Sequence, residues 1–577
     1  MEPKASDKFL ANGSTASAEN EPSTTRDVTD IIGEYGPWQR LIFILTCLRG
    51  TPTAFYNLST PFFAPKQDVW CTQPPFSNFS VAEWRNSAIP LEYHEGELVP
   101  SRCNMYEVLL VNDEPVINRN KTVPCSAWEY DNSFYTNTLT REYDLVCGRD
   151  WLISYTQSNY MAGMMCGVFI FGHLADRFGR RIILNISVTL MLIASVIAAF
   201  SPTFTFFSVA RFFLALGVGG TQNTSFCLLM EVLGPIYRTR PTFAFSFGWA
   251  FGLLLLPGMT YLIRDWVYQQ LASAAVSSIL LSYWIFMPES PRWLMTQGKY
   301  EKAEKIMLKA AKRNNLEINN MPLMMKQLKE RIERDERKKN PSVIDLFKTA
   351  NLRKNTIFVY ISYFSVAFVF YGLSLGQTNL GGNPFLNFFI GSAVELPAYV
   401  LCIIFIRYLP RKPSFLIFDM IGGIACFFMI PSEYPWVRIT AAMLGKLCIS
   451  GAFIILAIHA SEIFPTVVRT VGSGTSLMMG RIGAMVAPFI KELGNATHPA
   501  VPAIVYGSLS FVAALLIALL PETYNQVLPD TICEAEELGC GLEEIQRIRS
   551  ISDLHKEKGE VKMRMLQNGK EIKDPEV

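Results

Sequence analysis

Apolar and polar positions fall along this chain in long blocks, not in the one-face stripes of a soluble helix. Six windows contain no Asp, Glu, Lys, Arg or His: Trp151–Gly172, Ile182–Phe200, Pro241–Ile263, Trp266–Met287, Ile357–Asn383 and Ala500–Leu520. Six more carry a single ionisable residue: Leu41–Phe63 (Arg49), Pro202–Met230 (Arg211), Pro384–Ile406 (Glu395), Pro413–Pro431 (Asp419), Ile439–Ile458 (Lys446) and Thr470–Ile490 (Arg481). About 20 apolar residues cross the roughly 30 Å hydrocarbon layer of a bilayer. A soluble amphipathic helix would show charges every turn on one face. The pattern therefore predicts an all-α membrane protein of twelve spans.

Lys and Arg in the short connections set the orientation. They gather after span 2 (Arg177, Arg180, Arg181), span 4 (Arg238, Arg240), span 8 (Arg407, Arg411, Lys412) and span 10 (Arg469), and are nearly absent from the alternate connections apart from Arg264. Both termini are thus expected inside. The polar stretch Met1–Asp30 has no hydrophobic segment of a cleaved leader, so span 1 itself serves as the targeting signal. The expected organisation is a cytoplasmic tail over residues 1–36, a six-helix bundle over 37–287 with an outer loop at 64–150, a cytoplasmic linker over 288–355, a second bundle over 356–520 and a tail over 521–577.

Composition changes this picture little. The 577 residues are 50% hydrophobic and 18% charged, below the roughly 25% of soluble domains, with 52 Lys+Arg against 50 Asp+Glu. That balance argues against a nucleic-acid-binding chain. The outer loop holds Cys71, Cys103, Cys125 and Cys147, an even set in an oxidising compartment, whose three possible pairings the sequence leaves open. Asn78 and Asn120 head glycosylation sequons in the same loop. The linker carries 17 Lys/Arg against 9 Asp/Glu, with helical periodicity over Lys299–Arg313, suiting either a solvated helical lid or contact with anionic headgroups.

The chain also repeats itself. Glu231 and Arg238 close span 4, and Glu462 and Arg469 close span 10, at an offset of 231. Pro288-Glu289 follows span 6 and Pro521-Glu522 follows span 12 at an offset of 233, and the offset of 231 carries Arg180-Arg181 onto Arg411-Lys412. Two parallel sets of six spans joined by a long inner loop are the layout of major facilitator transporters: two pseudo-symmetric six-helix bundles.

Specific motifs carry a resemblance. The Gly172-x-x-x-Asp176-Arg177-x-Gly179-Arg180-Arg181 run resembles the signature between spans 2 and 3 of the major facilitator superfamily. Pro288-Glu-Ser-Pro-Arg-Trp-Leu294 resembles the organic cation/anion/carnitine transporters, solute carrier family 22, as do the Cys-bearing outer loop, Arg211 before Glu231, and Pro521-Glu-Thr…Leu528-Pro-Asp-Thr-Ile532. Tyr371-Gly-Leu-Ser-Leu375 and Glu395-Leu-Pro-Ala-Tyr-Val400 are most similar to its carnitine/zwitterion branch. The resemblance implies a polyspecific plasma-membrane carrier of small organic ions working by alternating access, with zwitterions and organic cations of the carnitine type as substrates. Organic anion transport, or a receptor-like member that moves nothing, are the alternatives. At the position of Arg481 the cation-selective branch has Asp, and the anion and carnitine branches have Arg. Arg49 has no counterpart in the family pattern, and Gly234-Pro-Ile-Tyr-Arg238 departs from the phosphate-loop-like run of some members.

Interior charges are the candidates for substrate contact, because an ionised group at mid-membrane costs at least about 2.5–3.5 kcal/mol and faces a wet cavity or a partner. Arg481, Lys446 and Arg49 would meet a carboxylate, while Glu395 and the aromatic faces of Phe370 and Tyr371 would meet an ammonium. The alternative is that Arg481 and Glu395 only neutralise each other across the halves; Asp419 and Arg211 are read as structural. At the inner rim, Asp176, Arg177, Arg180, Arg181, Glu231, Arg238, Glu289, Arg292, Glu462 and Arg469 are expected to form ion pairs that close an inner gate, although inner arginines also follow from topology alone. Five scattered histidines and the lack of a His-Glu-x-x-His, a paired Cys-x-x-Cys or a Walker A loop argue against an enzyme. No metal or cofactor is expected, and Na⁺ coupling stays open. The expected partners are the substrate ion and the lipid bilayer.

Overall fold

A computed structural model describes residues 27–537 apart from positions 78, 95–96, 112–113, 235–236, 238–239, 319, 337–341, 431–433, 525, 527–528 and 530. Helical segments correspond to all twelve apolar windows, in two sets of six along the chain. Five are single helices near the windows above: Trp151–Phe178 (span 2), Arg180–Ala199 (span 3), Phe204–Val232 (span 4), Arg240–Leu262 (span 5) and Ala350–Gly376 (span 7). Arg411–Phe427 (span 9), Pro435–Ile463 (span 10) and Val501–Ala518 (span 12) are likewise single. The others are broken. Span 1 runs as Pro37–Leu48, Gly50–Leu58 and Thr60–Phe63, span 8 as Pro384–Ala393 and Glu395–Tyr408, and span 11 as Arg469–Val486 and Phe489–Ala496. Span 6 begins as Trp266–Ser277 and tightens through a 3₁₀ stretch at Ser278–Ser282 before Tyr283–Phe286.

Seven of these segments are long and apolar enough to cross a membrane on their own. The remaining five are interrupted, short or polar within. Span 2, for instance, buries Ser154, Thr156, Gln157 and Ser158, groups that need protein partners and find them. Gln157 donates to the Asn57 carbonyl at 3.0 Å, and Ser154 to Glu492 at 2.8 Å.

The expected inner loop after span 2 is barely a loop. The helix runs on to Phe178, and Gly179 alone, at φ +112°, turns the chain into span 3. Only glycine takes that conformation readily, and a Cβ there would also press to 2.6 Å on the Glu289 carboxylate. Span 7 likewise starts at Ala350, earlier than its apolar window, because Lys354 and Arg353 lie on its first inner turns.

The outer insertion is a small β-rich unit. Val69–Cys71 pairs with Trp128–Tyr130, Leu91–His94 with Glu97–Pro100, and Asn104–Val111 with Glu114–Pro124, all antiparallel. The open pairing question is answered by Cys71–Cys125 and Cys103–Cys147. Trp84 packs under Cys71 and donates to its carbonyl at 2.7 Å. Asn120 is exposed on the last long strand, and Asn78 lies outside the described residues.

The linker forms helices Pro291–Thr296, Tyr300–Arg313 and Met321–Glu336. Asn314 fixes this bundle to the first half: it accepts from the Trp38 amide at 2.8 Å and donates to the Ile32 carbonyl at 2.6 Å.

Candidate functional site

Where the two halves face each other, spans 1, 4, 5, 7, 8, 10 and 11 enclose a cavity of about 240 Å³. That is the scale of a small metabolite, below the roughly 300–1,000 Å³ of drug-sized sites. Its outer end is shut by contacts between the halves. Phe62 of span 1 stacks on Phe385 at 5.8 Å and meets Phe388 edge-on at 4.9 Å, and Tyr135 and Tyr261 close on Phe385. Ser154 and Ser158 of span 2 donate to Glu492 and to the Met485 carbonyl of span 11.

Two guanidiniums enter the cavity, one from each half. Arg481 donates to the Tyr371 hydroxyl at 3.3 Å and to Gln222 Oε1 at 3.2 Å, so its partners are neutral and one lies on the opposite half. Arg49 sits at the break in span 1, 5% exposed, with its guanidinium 4.4 Å from the Phe245 ring centre. Phe370 and Tyr371 line the same space, together with Phe245, Trp249, Tyr399 and Phe453. No Asp or Glu does.

Glu395 and Lys446 therefore require a correction to the expected site. They meet at 3.0 Å, 0% and 1% exposed, and neither lines the cavity. Tyr399, which lines the cavity, donates its hydroxyl to Glu395 Oε2 at 3.0 Å. Two buried charges this close satisfy each other and are withdrawn from any ligand. The alternative pairing of Glu395 with Arg481 is also not formed. Arg211 is caged by the Ser59 and Thr60 hydroxyls and by the Phe63, Tyr160 and Phe207 rings, as a structural residue would be.

Sequence reasoning missed Gln222 and the aromatics Phe245, Trp249, Tyr399 and Phe453. Gln222 carried a signal: the run Gly219-Gly220-Thr221-Gln222-Asn223 is a polar patch in an otherwise apolar span. A scan for ionisable groups alone passes over it.

The inner rim is built twice, on the repeat. Arg180 meets Asp176 and Glu231, both at 2.9 Å, and donates to the Ala175 carbonyl at 3.0 Å. Arg411 meets Glu462 at 3.2 Å and donates to the Ile406 carbonyl at 2.8 Å. Glu289 accepts from the Arg180 and Arg181 amides at 2.9 and 3.1 Å, and Glu522 from those of Arg411 and Lys412 at 2.9 and 3.0 Å. Burial raises the Glu289 carboxyl above its ordinary value despite these bonds. At the more exposed Glu522 burial also opposes the charge, but four backbone N–H groups together outweigh it and lower the carboxyl.

Among the described residues these ion pairs lie within each half. The geometry departs from the gate expectation in the partner of Glu462. Glu462 is held by Arg411, while Arg469 donates instead to the Phe464 carbonyl at 3.2 Å. Arg181 reaches the Trp284 carbonyl, Arg177 lies over the Phe178 ring, Arg292 is exposed, and Arg238 is outside the described residues.

Comparison with known proteins places this architecture. The sugar (and other) transporter family matches residues 118–530. The chain is 34% identical to an organic cation transporter protein of Drosophila melanogaster, over 89% of this chain and 94% of the relative. It is 34% identical to organic cation/carnitine transporter 2 of Homo sapiens, over 88% and 93%, and 31% identical to solute carrier family 22 member 4 of Mus musculus, over 91% and 95%. Among solved structures, the xylose transporter XylE from E. coli in a partially occluded inward-open conformation shares the fold, with a TM-score of 0.57 at 17% identity over 85% of this chain and 98% of that one. The chain is accordingly a multi-pass membrane protein of the major facilitator fold, a transporter and not an enzyme, and it belongs to solute carrier family 22, the organic cation/anion/carnitine transporters.

Proposed function

We propose that this protein carries small organic ions bearing a carboxylate, zwitterions of the carnitine type foremost, across the plasma membrane by alternating access, with both termini cytoplasmic. One observation carries the reading: Arg481 reaches into a cavity where, among the described residues, its hydrogen-bond partners are the neutral Tyr371 and Gln222 and no acid lines the wall. A guanidinium grips a carboxylate through two parallel hydrogen bonds and repels a simple cation. The rings of Phe370, Tyr371, Phe245 and Trp249 supply faces on which a quaternary ammonium gains about 0.5–2 kcal/mol per contact. Relatives named for organic cations and for carnitine agree with small organic ions as substrates.

Organic anion transport is the second reading, favoured by the withdrawal of Glu395 onto Lys446. Uptake of radiolabelled carnitine, a simple organic cation and an aryl carboxylate by expressing cells, with and without external Na⁺, decides between them. Carnitine uptake above the other two supports the proposal; transport of the simple cation alone contradicts it. Loss of uptake without Na⁺ assigns symport, and its persistence assigns exchange or facilitated diffusion.

A further inference from the structure

Most buried or half-buried cations facing the interior of this protein have their charge answered. Lys446 has Glu395, Arg180 has Glu231 and Asp176, and Arg411 has Glu462; Arg211 has no acid and its Nε also lacks an acceptor, but it donates to the Ser59 and Thr60 hydroxyls within a cage of rings and lies outside the cavity lining. Arg49 differs. Its side chain is 95% buried by its 5% exposure, lines the cavity, and among the described residues makes no hydrogen bond or ion pair; its Nε is buried without an acceptor, and its guanidinium lies over the Phe245 ring. It stands at the junction of Pro37–Leu48 and Gly50–Leu58. Arg481 faces it from the other half, within electrostatic reach.

Two guanidiniums in one enclosed space repel each other, and an unanswered buried charge is costly. A monocarboxylate zwitterion on Arg481 answers one of them and brings an ammonium of its own, so Arg49 is left over. We propose that Arg49 forms a second anion subsite, so that the loaded cavity holds two negative groups at once: a carboxylate on Arg481 and a second anionic group on Arg49. That second group is either another acid on the same substrate or a free halide bound beside a monocarboxylate. The inference rests on the carboxylate reading of Arg481 given above. It adds a charge stoichiometry and a residue that the family pattern does not contain.

The test uses the purified full-length chain in detergent. Binding of radiolabelled carnitine is measured in sodium chloride and in sodium methanesulfonate, and succinate is titrated as competitor and as a thermal stabiliser, for the wild type, Arg49→Gln, Arg49→Lys and Arg481→Gln. Arg49→Lys keeps the charge and controls for folding. If the second group is a halide, removing chloride weakens carnitine binding about tenfold in the wild type and Arg49→Lys, and has no effect in Arg49→Gln. If it is a second acid of the substrate, chloride is irrelevant and Arg49→Gln weakens succinate binding and stabilisation about tenfold more than it changes carnitine binding. Chloride-independent carnitine binding together with succinate stabilisation unaltered in Arg49→Gln overturns the proposal, as does the absence of stabilisation by either anion. Carnitine binding that survives Arg481→Gln sinks the underlying carboxylate reading instead, and the Arg49-dependent succinate response still decides the subsite.

Discussion

Lys446 and Glu395 meet at 3.0 Å in the interior of the second half, and Tyr399, which lines the cavity, donates its hydroxyl to Glu395. Removing one member of such a pair strands the other as a buried charge, at a cost of about 3–5 kcal/mol, whereas removing both is far milder. Glu395→Gln and Lys446→Met are each expected to lower the thermal unfolding temperature sharply, and the double variant to recover most of the loss. A Glu395→Gln protein that unfolds like the wild type but no longer binds carnitine would instead place Glu395 on the substrate.

Arg411 and Glu462 reproduce Arg180 and Glu231 in the other half, each pair 51 residues apart. A double-mutant cycle on thermal stability should give a coupling of about 0.5–3 kcal/mol for Arg411 with Glu462 and for Arg180 with Glu231. Arg469 with Glu462 should give none in this conformation. Coupling of Arg469 to Glu462 equal to that of Arg411 would contradict the assignment of partners.

The repeat-related carboxylates Glu289 and Glu522 cap the same turns but respond oppositely to acid. Glu522 is lowered from the ordinary 4.5, so the stability it contributes is present above that value and is lost as pH falls through its lowered one. Glu289 is raised, so the folded state takes up its proton above pH 4.5 and gains from acidification. Measured as unfolding temperature against pH, the deficit of Glu522→Gln relative to the wild type should shrink below about 4.5, while that of Glu289→Gln should grow on approaching it. Parallel trends in the two variants would be inconsistent with this difference in burial.

The disulfides tie the outer unit to itself and to the membrane bundle. Cys103–Cys147 closes a 44-residue loop ending just before span 2, and Cys71–Cys125 a 54-residue one. Replacing either pair by serine should cost about 2–5 kcal/mol and reduce surface expression. Peptide mapping without reduction should return these two pairings and neither alternative.

Much of the fold was legible because a bilayer leaves a coarse record: charge is excluded from about 20 residues at a time, and the repeat shows through its rim motifs. The breaks were less visible. Gly50 and Pro52 after Arg49 do mark a junction, since proline lacks the N–H that would continue the helix, but they do not say which way the Arg49 side chain points; Gly179 does a loop's work alone because one left-handed residue suffices. Interior ions were easy to find, but their partners were not. Glu395 and Lys446 are 51 residues apart in sequence, and only packing shows that they neutralise each other. At the rim, the seven-residue spacing of Glu462 and Arg469 suggested neighbours, whereas the repeat offset, applied to Arg180, points to Arg411. The cavity wall itself is largely neutral: Gln222 stands out only as part of a polar patch, and Trp249 and Tyr399 look in the sequence like the rest of their spans.

The central claim is that Arg481 reads the substrate's carboxylate. It is tested most directly by uptake of carnitine and of a simple organic cation in cells expressing equal surface amounts of wild type and Arg481→Asp. The account predicts that carnitine uptake falls at least about tenfold, since a charge-assisted bidentate contact is replaced by repulsion, and that the simple cation gains relative to carnitine. Carnitine uptake unchanged by Arg481→Asp would contradict it.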